Sequence, residues 1–312
     1  MRLLLLVFVI LNISHAAFAQ RAKVTIDPNE EWTRKELTKI GLSKSFTEES
    51  IENYEPKGFN TVVTLNLLGF LQPSGAHLLE VTPKAVKRAT SFIQDNQTAF
   101  AKAHEEFSVP ADVISSLLWI ETRHGEDVGT FHTVSVYLHL LQAKRAANIE
   151  ALTKMAIIKN KQVKKYTSIK ELRKIMRERA IKKSKWAEEQ LIALASIRKN
   201  KHLDITKLRG SYAGAFGLPQ FIPSSYRDFA VSHKPKATPN LSKPADAIMS
   251  VASYLSQSGW DSKSNDAQVA ALMKYNFSRD YADGILRIAK RLPANLVPQL
   301  SGATSSAETG SP

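Results

Sequence analysis

The chain has 312 residues, with 43 Lys and Arg against 29 Asp and Glu, which gives a formal net charge of +14 at pH 7. This length is enough to bury a core, as one large domain or two closely packed ones. The absence of cysteine excludes disulfides, and the positive charge favours an anionic partner such as nucleic acid, acidic lipid or an anionic cell-wall polymer.

Residues 1–19 have the three parts of a secretory signal peptide. Arg2 precedes an apolar run at residues 3–13, and the small residues Ala17 and Ala19 precede the expected cleavage site. That run is too short to span a membrane, and no later run reaches the length needed. We therefore predict a periplasmic protein without stable membrane insertion. With no cysteine it is not a lipoprotein, and export makes nucleic acid the least expected partner.

Residues 20–107 read as an N-terminal helical region. Helical patterns cover residues 32–40 and 83–106, and a strongly apolar run covers residues 62–71. No spacing in this region indicates chemistry.

Residues 109–125 predict a helix that carries one carboxylate, Glu121, on an apolar face. Pro110 suits its first turn, Gly125 suits its C′ position, and the helix should end just after Glu121. Burial and the negative end of the helix dipole both favour the neutral carboxyl, so Glu121 is a candidate proton donor near neutral pH. The alternative is a structural Glu paired with Arg123 or a lysine.

Residues 159–201 contain fifteen Lys and Arg against four Glu. Apolar residues keep helical spacing in two stretches, one around Leu172 and the other around Leu191. We therefore predict a folded, basic helical pair within an insertion at about residues 144–205. Its outer face is either a solvated surface or a patch for an anionic polymer.

Residues 209–226 combine closely spaced glycines with two prolines and predict a tight loop. Such a loop can present Ser211 and Gln220 into a groove, or can simply join two helices. The helices predicted after it carry Tyr254, Tyr275, Asn276 and Tyr281, which suit sugar recognition because rings stack on pyranoses and amides bond acetamido groups. Core tyrosines are the default alternative. Residues 301–312 read as a disordered tail.

Four ordered motifs together resemble lytic murein transglycosylases of the B type, glycoside hydrolase family 103. They are E-T-R-x-G at residues 121–125, S-Y-A-G-A-x-G-x-x-Q-F-x-P-S-S at 211–225, D-A-I-x-S-V-A-x-Y at 246–254 with Gly259-Trp260, and Tyr275-Asn276. The resemblance implies a mainly α fold: a lysozyme-like transglycosylase core with additional packed helices, at residues 108–300. It also implies that Glu121 is catalytic and that substrate is bound by six residues: Ser211, Gln220, Tyr254, Tyr275, Asn276 and Tyr281.

The family members that bind calcium have an acidic loop after the Ser-Ser motif. Here residues 231–240 contain Lys234 and Lys236 but no acid, so we predict no metal site and no cofactor.

The resemblance implies one reaction in which a single carboxylate suffices. Glu121 protonates the MurNAc–GlcNAc β-1,4 bond of peptidoglycan, and the substrate's acetamido group stabilises C1. Glu121 then accepts the proton of the C6 hydroxyl, and a 1,6-anhydromuramoyl product forms. The alternatives are a hydrolytic muramidase and a non-catalytic cell-wall binding protein. We expect a monomer whose partner is the peptidoglycan glycan strand.

Overall fold

A computed structural model describes residues 28–71, 81–166, 168–201, 203–294 and 296. The predicted signal peptide and the predicted disordered tail lie outside the described residues. The described part of the chain is mainly α, as predicted, with one two-stranded antiparallel sheet that pairs β1 (Phe131–His132) with β2 (Arg209–Gly210). Its helices are α1 (Glu30–Lys39), α2 (Lys44–Glu52), α3 (Phe59–Leu68), α4 (Pro83–Asp95), α5 (Gln97–Phe107), α6 (Ala111–Thr122), α7 (Thr133–Leu141), α8 (Ala146–Val163), α9 (Ile169–Lys201), α10 (Pro223–Phe229), α11 (Pro244–Gln257), α12 (Asn265–Tyr275) and α13 (Arg279–Ala289).

The helices before residue 107 divide between different cores. Leu37, Phe46 and Val62, from α1 to α3, pack with buried residues of α7 and α9. Ile93 and Phe100, from α4 and α5, pack instead with α6, α11, α12 and α13. The helical pattern at residues 83–106 is therefore two helices, which meet where Asn96 leaves helical geometry. The domain boundary at residue 108 stays a prediction.

The core around α6 positions the candidate acid. Ile114, Leu117 and Leu118 are fully buried among α5, α11 and α13. Each such side chain stabilises the fold by about 1.5–3 kcal/mol relative to exposure. Because Glu121 follows Leu117 and Leu118 by four and three residues, it emerges on the same side of the helix, at the edge of this core.

The basic stretch folds differently from the predicted pair. Leu172 and Leu191 lie on one continuous 33-residue helix, α9. This helix packs against α7, α8 and α10, and α8 ends at Val163, before α9 begins. The prediction that the stretches around Leu172 and Leu191 are two separate helices is therefore wrong. No glycine or proline interrupts residues 169–201, so the helix continues through both stretches. Among the described residues, no helix is long and apolar enough to cross a membrane.

Candidate functional site

Helix α6 ends one residue after Glu121, as predicted, but not through the predicted cap. Arg123 and His124 both adopt left-handed backbone conformations, with φ of 52° and 61°, before Gly125 at 97°. The amide of Arg123 donates to the Trp119 carbonyl. The C-cap is therefore Arg123, and the side chain of this residue is exposed rather than paired with Glu121.

The imidazole of His124 fastens this helix end. It stacks on Phe92, with ring centroids 4.1 Å apart and planes 7° from parallel, and its Nε2 lies 2.9 Å from the Ser115 carbonyl. Burial lowers the pKa of His124 to about 4, so the ring is neutral at physiological pH. It contributes no positive charge next to Glu121.

The Glu121 carboxylate has one hydrogen-bond donor among the described residues. The hydroxyl of Tyr281 donates to Oε1 over 2.5 Å. Burial raises the pKa of Glu121 to about 7, and the Tyr281 hydrogen bond opposes that rise only in part. The structure thus raises the pKa of Glu121 toward neutral pH, and the sequence predicted a shift in this direction.

Three tyrosines continue from Glu121 toward a cavity. The buried ring of Tyr281 stacks on Tyr275, with centroids 6.4 Å apart and planes 17° from parallel, and Tyr275 meets Tyr254 edge to face at 4.7 Å. Their hydroxyls donate to Glu121, to the Pro219 carbonyl and to the Lys274 carbonyl, respectively. These bonds fix the ring orientations and join α11, α12 and α13 into one wall.

A cavity of about 170 Å³ opens against this wall. Tyr254, Tyr275 and Gln220, all predicted from the sequence, line it. Glu121 does not line it directly, and is connected to it through Tyr281 and Tyr275. The other lining residues are Phe221, Ile222, Ser225, Lys274 and Phe277.

The sequence analysis missed Phe277 as a site residue. Its side chain is 49% exposed at the mouth of the cavity. Its position directly after Tyr275 and Asn276 was the available signal, since a large apolar residue next to two candidate sugar-binding residues is a candidate platform itself.

The loop between β2 and α10 holds Gln220 against the cavity. The Gln220 side-chain amide donates to the carbonyls of Val128 and Gly217, at 3.1 and 3.0 Å. Both bonds use Nε2, which leaves Oε1 as the group that can accept from a ligand. Gln220 itself is in the left-handed region, with φ of 51°.

Helix α6 and this loop are joined directly. The hydroxyl of Thr122, the residue after Glu121, donates to the Leu218 carbonyl over 2.8 Å and accepts from the amide of Gly125. The candidate acid and Gln220 are therefore held in one network.

Ser211 is not presented into the groove. Its side chain is 2% exposed, and its Oγ accepts from the amides of Ala213 and Ala215 inside the loop. In this arrangement Ser211 shapes the loop, and its contact with substrate stays a prediction. Asn276 is also buried, at 7% exposure, and its Oδ1 has no partner among the described residues.

The loop at residues 231–240 is closed by a carboxylate. Asp246 accepts from the amides of His233 and Asn240, both at 2.7 Å, and from the Ser232 hydroxyl at 3.1 Å. The described residues contain no group of three acidic, His or Cys side chains that could hold a metal ion.

The site is thus a mainly helical core that holds one half-buried glutamate, Glu121, against a wall of three tyrosines. The chain belongs to the Transglycosylase SLT domain family, whose pattern matches residues 30–290. It is 26% identical over 192 residues to the membrane-bound lytic murein transglycosylase B of Escherichia coli K12, a match covering 60% of this chain and 43% of that protein. The chain thus matches less than half the length of this relative.

Solved structures show the same fold. The soluble lytic transglycosylase SltB1 of Pseudomonas aeruginosa superposes with a TM-score of 0.60 at 19% identity, over 84% of this chain and 97% of that one. SltB3 of the same organism, in complex with NAG-anhNAM-pentapeptide, gives a TM-score of 0.59 at 15% identity, over 83% and 77%. The fold is therefore a lysozyme-like transglycosylase core with additional packed helices.

Proposed function

We propose that the protein is a lytic transglycosylase that cleaves the MurNAc–GlcNAc β-1,4 bond of peptidoglycan and forms a 1,6-anhydromuramoyl end. The observation that carries the proposal is the Glu121 carboxyl, whose pKa is raised to about 7. Family membership and the SltB3 complex with an anhydromuramoyl ligand support the substrate class.

The first step uses Glu121 as the acid. The protonated carboxyl donates to the glycosidic oxygen, the C1–O bond breaks, and the GlcNAc leaving group departs as an alcohol. The substrate's acetamido oxygen then stabilises C1 of the muramoyl residue. Tyr281 stabilises the carboxylate that remains, since its hydroxyl donates to Oε1.

The second step uses the same carboxylate as the base. Glu121 accepts the proton of the C6 hydroxyl, O6 bonds to C1, and the acetamido oxygen is released. The acid is thereby regenerated and no water is consumed. In the usual two-carboxylate mechanism a second carboxylate activates water as a base or attacks C1, whereas the mechanism proposed here uses the Glu121 carboxyl in both steps.

We assign binding roles to the cavity residues. Tyr254 and Tyr275 present ring surface, Gln220 offers Oε1, and Asn276 has an unsatisfied Oδ1 next to Tyr275. Apolar ring faces stack on pyranose rings, and amide oxygens accept from acetamido N–H groups. Tyr281 positions Glu121, and Ser211 shapes the loop. An exported protein acting in the periplasm fits this substrate.

Mass spectrometry of digested sacculi tests the proposal. We expect 1,6-anhydromuramoyl ends from the parent chain and a loss of at least about a thousandfold in turnover for Glu121→Gln, which keeps the side-chain shape but cannot donate as an acid. The matched control is Glu126→Gln, an exposed carboxylate that pairs with Arg88. Mainly reducing muramic acid ends would instead establish a hydrolytic muramidase. Full activity of Glu121→Gln would remove Glu121 from the chemistry, and an inactive parent that binds sacculi would indicate a binding protein.

A further inference from the structure

The outward face of α9 combines cations with exposed isoleucines. Six residues, spaced by three, four or seven, fall on one side of the helix. Their side chains are exposed, and we call them the α9 stripe: Lys170, Lys174, Arg177, Ile181, Lys185 and Ile192. At 1.5 Å per residue the stripe is about 33 Å long.

The isoleucines of the stripe are unusual for this protein. Ile181 is 46% exposed and Ile192 is 44% exposed, although large hydrophobic side chains elsewhere in the described structure are mostly buried. Arg177 and Lys185 flank Ile181 at one turn on either side. Helix α8 repeats the arrangement, with Ile158 at 39% exposure between Lys154 and Lys161.

Few acids neutralise the stripe. Of its four cations, only Lys174 has an ion pair with a described residue, at 4.0 Å from Glu178, and both partners are highly exposed. Glu188, which faces the same side, is already engaged at 2.6 Å by Lys144. An exposed pair such as Lys174–Glu178 contributes little, so the stripe keeps a strong positive field.

Three other cations of the basic stretch contact the protein itself. The Lys183 ammonium lies 3.7 Å from the centre of the Trp186 ring, where burial lowers its pKa to about 7. Lys165 donates to the Phe70 carbonyl and Arg179 donates to the Leu67 carbonyl. These three cations are therefore engaged within the protein, whereas the four cations of the stripe are exposed beside its isoleucines.

We propose that the α9 stripe docks the protein peripherally on a membrane surface rich in anionic phospholipid. Cations alone would fit an anionic glycan polymer equally well. Exposed isoleucines fit it poorly, because a hydrated, polar polymer does not remove them from water. A lipid interface satisfies both, since phosphate headgroups attract Lys and Arg while the boundary of the acyl region accepts apolar side chains.

The geometry also fits a docked rather than a spanning helix. One side of α9 is committed to the fold, with Leu172, Met176 and Leu191 buried. The helix can therefore lie along an interface without leaving the protein. Its lysines have long stems that let the ammonium groups reach phosphates while the isoleucines sit deeper. The docking is independent of the proposed chemistry at Glu121.

Vesicle cosedimentation tests this proposal with a chain that begins at Gln20, so that the apolar run at residues 3–13 cannot bind lipid by itself. The probes are vesicles of pure phosphatidylcholine and vesicles with one third phosphatidylglycerol, each over a range of salt concentrations. We expect the protein to bind only the anionic vesicles and to be released progressively by salt.

Substitutions in the stripe separate the contribution of its charges from that of its isoleucines. Lys174→Gln/Arg177→Gln/Lys185→Gln should weaken partitioning onto anionic vesicles roughly a hundredfold. Ile181→Ser/Ile192→Ser should weaken it several-fold at unchanged charge, while Ile181→Leu/Ile192→Leu should retain it. The charge control is Lys84→Gln/Lys87→Gln/Lys243→Gln, three exposed lysines away from the stripe, which should bind as the parent does. Turnover of short soluble glycan fragments should be the same in all of them.

Three results would overturn the proposal. The first is that the unsubstituted protein binds sacculi through the stripe but does not bind anionic vesicles, which would make the stripe a glycan-binding face. The second is a serine double variant that binds vesicles as the parent does. The third is concentration-dependent self-association that the serine substitutions abolish in the absence of lipid, which would make the stripe an interface between two copies.

Discussion

At the scale of single residues, the protonation of Glu121 links activity to stability. Burial raises its pKa to about 7 from an ordinary value of 4.5, so the folded protein holds this proton more tightly than the unfolded chain. The ionised form of Glu121 therefore lowers the free energy of unfolding relative to the protonated form. Its unfavourable contribution grows as the pH rises from 4.5 to about 7 and is complete above that.

Glu121→Gln should consequently raise stability at high pH while abolishing turnover. The neutral amide can still accept from Tyr281, but it carries no charge to desolvate. We expect a gain on the order of 2 kcal/mol in the free energy of unfolding at pH 8 and almost none at pH 4. Denaturant titrations at the two pH values measure it. Equal effects at both would show that ionisation of this carboxyl is not coupled to folding.

Tyr281→Phe isolates the hydroxyl that holds the acid. Phe fills the same buried volume, but the loss of the donor removes the hydrogen bond that favours ionised Glu121. The pKa of Glu121 should rise further, and the alkaline limb of the kcat/KM profile should move up by roughly one pH unit. Tyr226→Phe, which removes a buried hydroxyl that donates to the Pro239 carbonyl, is the control. If the rate fell but the alkaline limb of the kcat/KM profile did not move, the role of Tyr281 would be packing alone.

At the scale of elements, the loop between β2 and α10 contains glycines whose replacement would strain the backbone and bring a Cβ too close to neighbouring atoms. Gly214 has φ of +79°, and a Cβ there would lie 2.5 Å from the Tyr137 ring. Gly217 has φ of +73°, and its Cβ would meet Leu241 at 2.4 Å. The loop is thus compressed against α7 on one side and the segment before α11 on the other, which holds Gln220 in place.

Gly214→Ala should therefore destabilise the protein more than Gly41→Ala. Gly41 has nearly the same dihedral, +83°, but open space around it. Gly41→Ala measures backbone strain alone, about 1 kcal/mol, whereas Gly214→Ala adds the clash with Tyr137, for a total of about 3 kcal/mol. Thermal unfolding of both variants tests this. Similar losses would mean that the Tyr137 ring moves aside without cost.

At the scale of the whole molecule, Asp246 on α11 fastens the loop at residues 231–240 through hydrogen bonds. Two backbone amides and one hydroxyl donate to its two oxygens. Millimolar calcium added after chelation should accordingly leave the Tm unchanged, since only a ligand of the native state raises it by mass action. A rise of several degrees would show a site that these residues do not account for.

Asp246→Asn should lower the free energy of unfolding by about 2 kcal/mol. The substitution replaces one carboxylate oxygen, which accepts from a backbone N–H, by an NH₂ group, which cannot accept. Calcium should not restore it. Asp228→Asn, at an exposed carboxylate paired with neighbouring Arg227, should change stability by less than about 0.5 kcal/mol. A calcium-dependent recovery of the Asp246 variant would contradict closure of this loop by Asp246 alone.

Features that depend on local chemistry can be predicted from the residues alone. Apolar spacing around Glu121 and the Arg123-His124-Gly125 run were enough to predict the helix, its end and the direction of the carboxyl's pKa, because periodicity and burial are local consequences of residue type. Gln220 and the three tyrosines Tyr254, Tyr275 and Tyr281 were instead marked by the glycine-rich loop, by the chemistry of sugar recognition and by the resemblance to the transglycosylases.

Contacts between residues distant in sequence could not be predicted in this way, because they depend on how the helices pack. Tyr281 reaches Glu121 across 160 residues, and Asn66 on α3 donates to the carbonyl of Tyr212 in the loop. Ser211 lies in a motif that suggests substrate binding, yet in the fold its hydroxyl accepts from amides of its own turn. Lys183 resembles its exposed neighbour Lys185 in the sequence, yet it lies against Trp186. Spacing predicts which side of a helix a residue occupies, but packing decides whether that side meets water, a ring or a substrate.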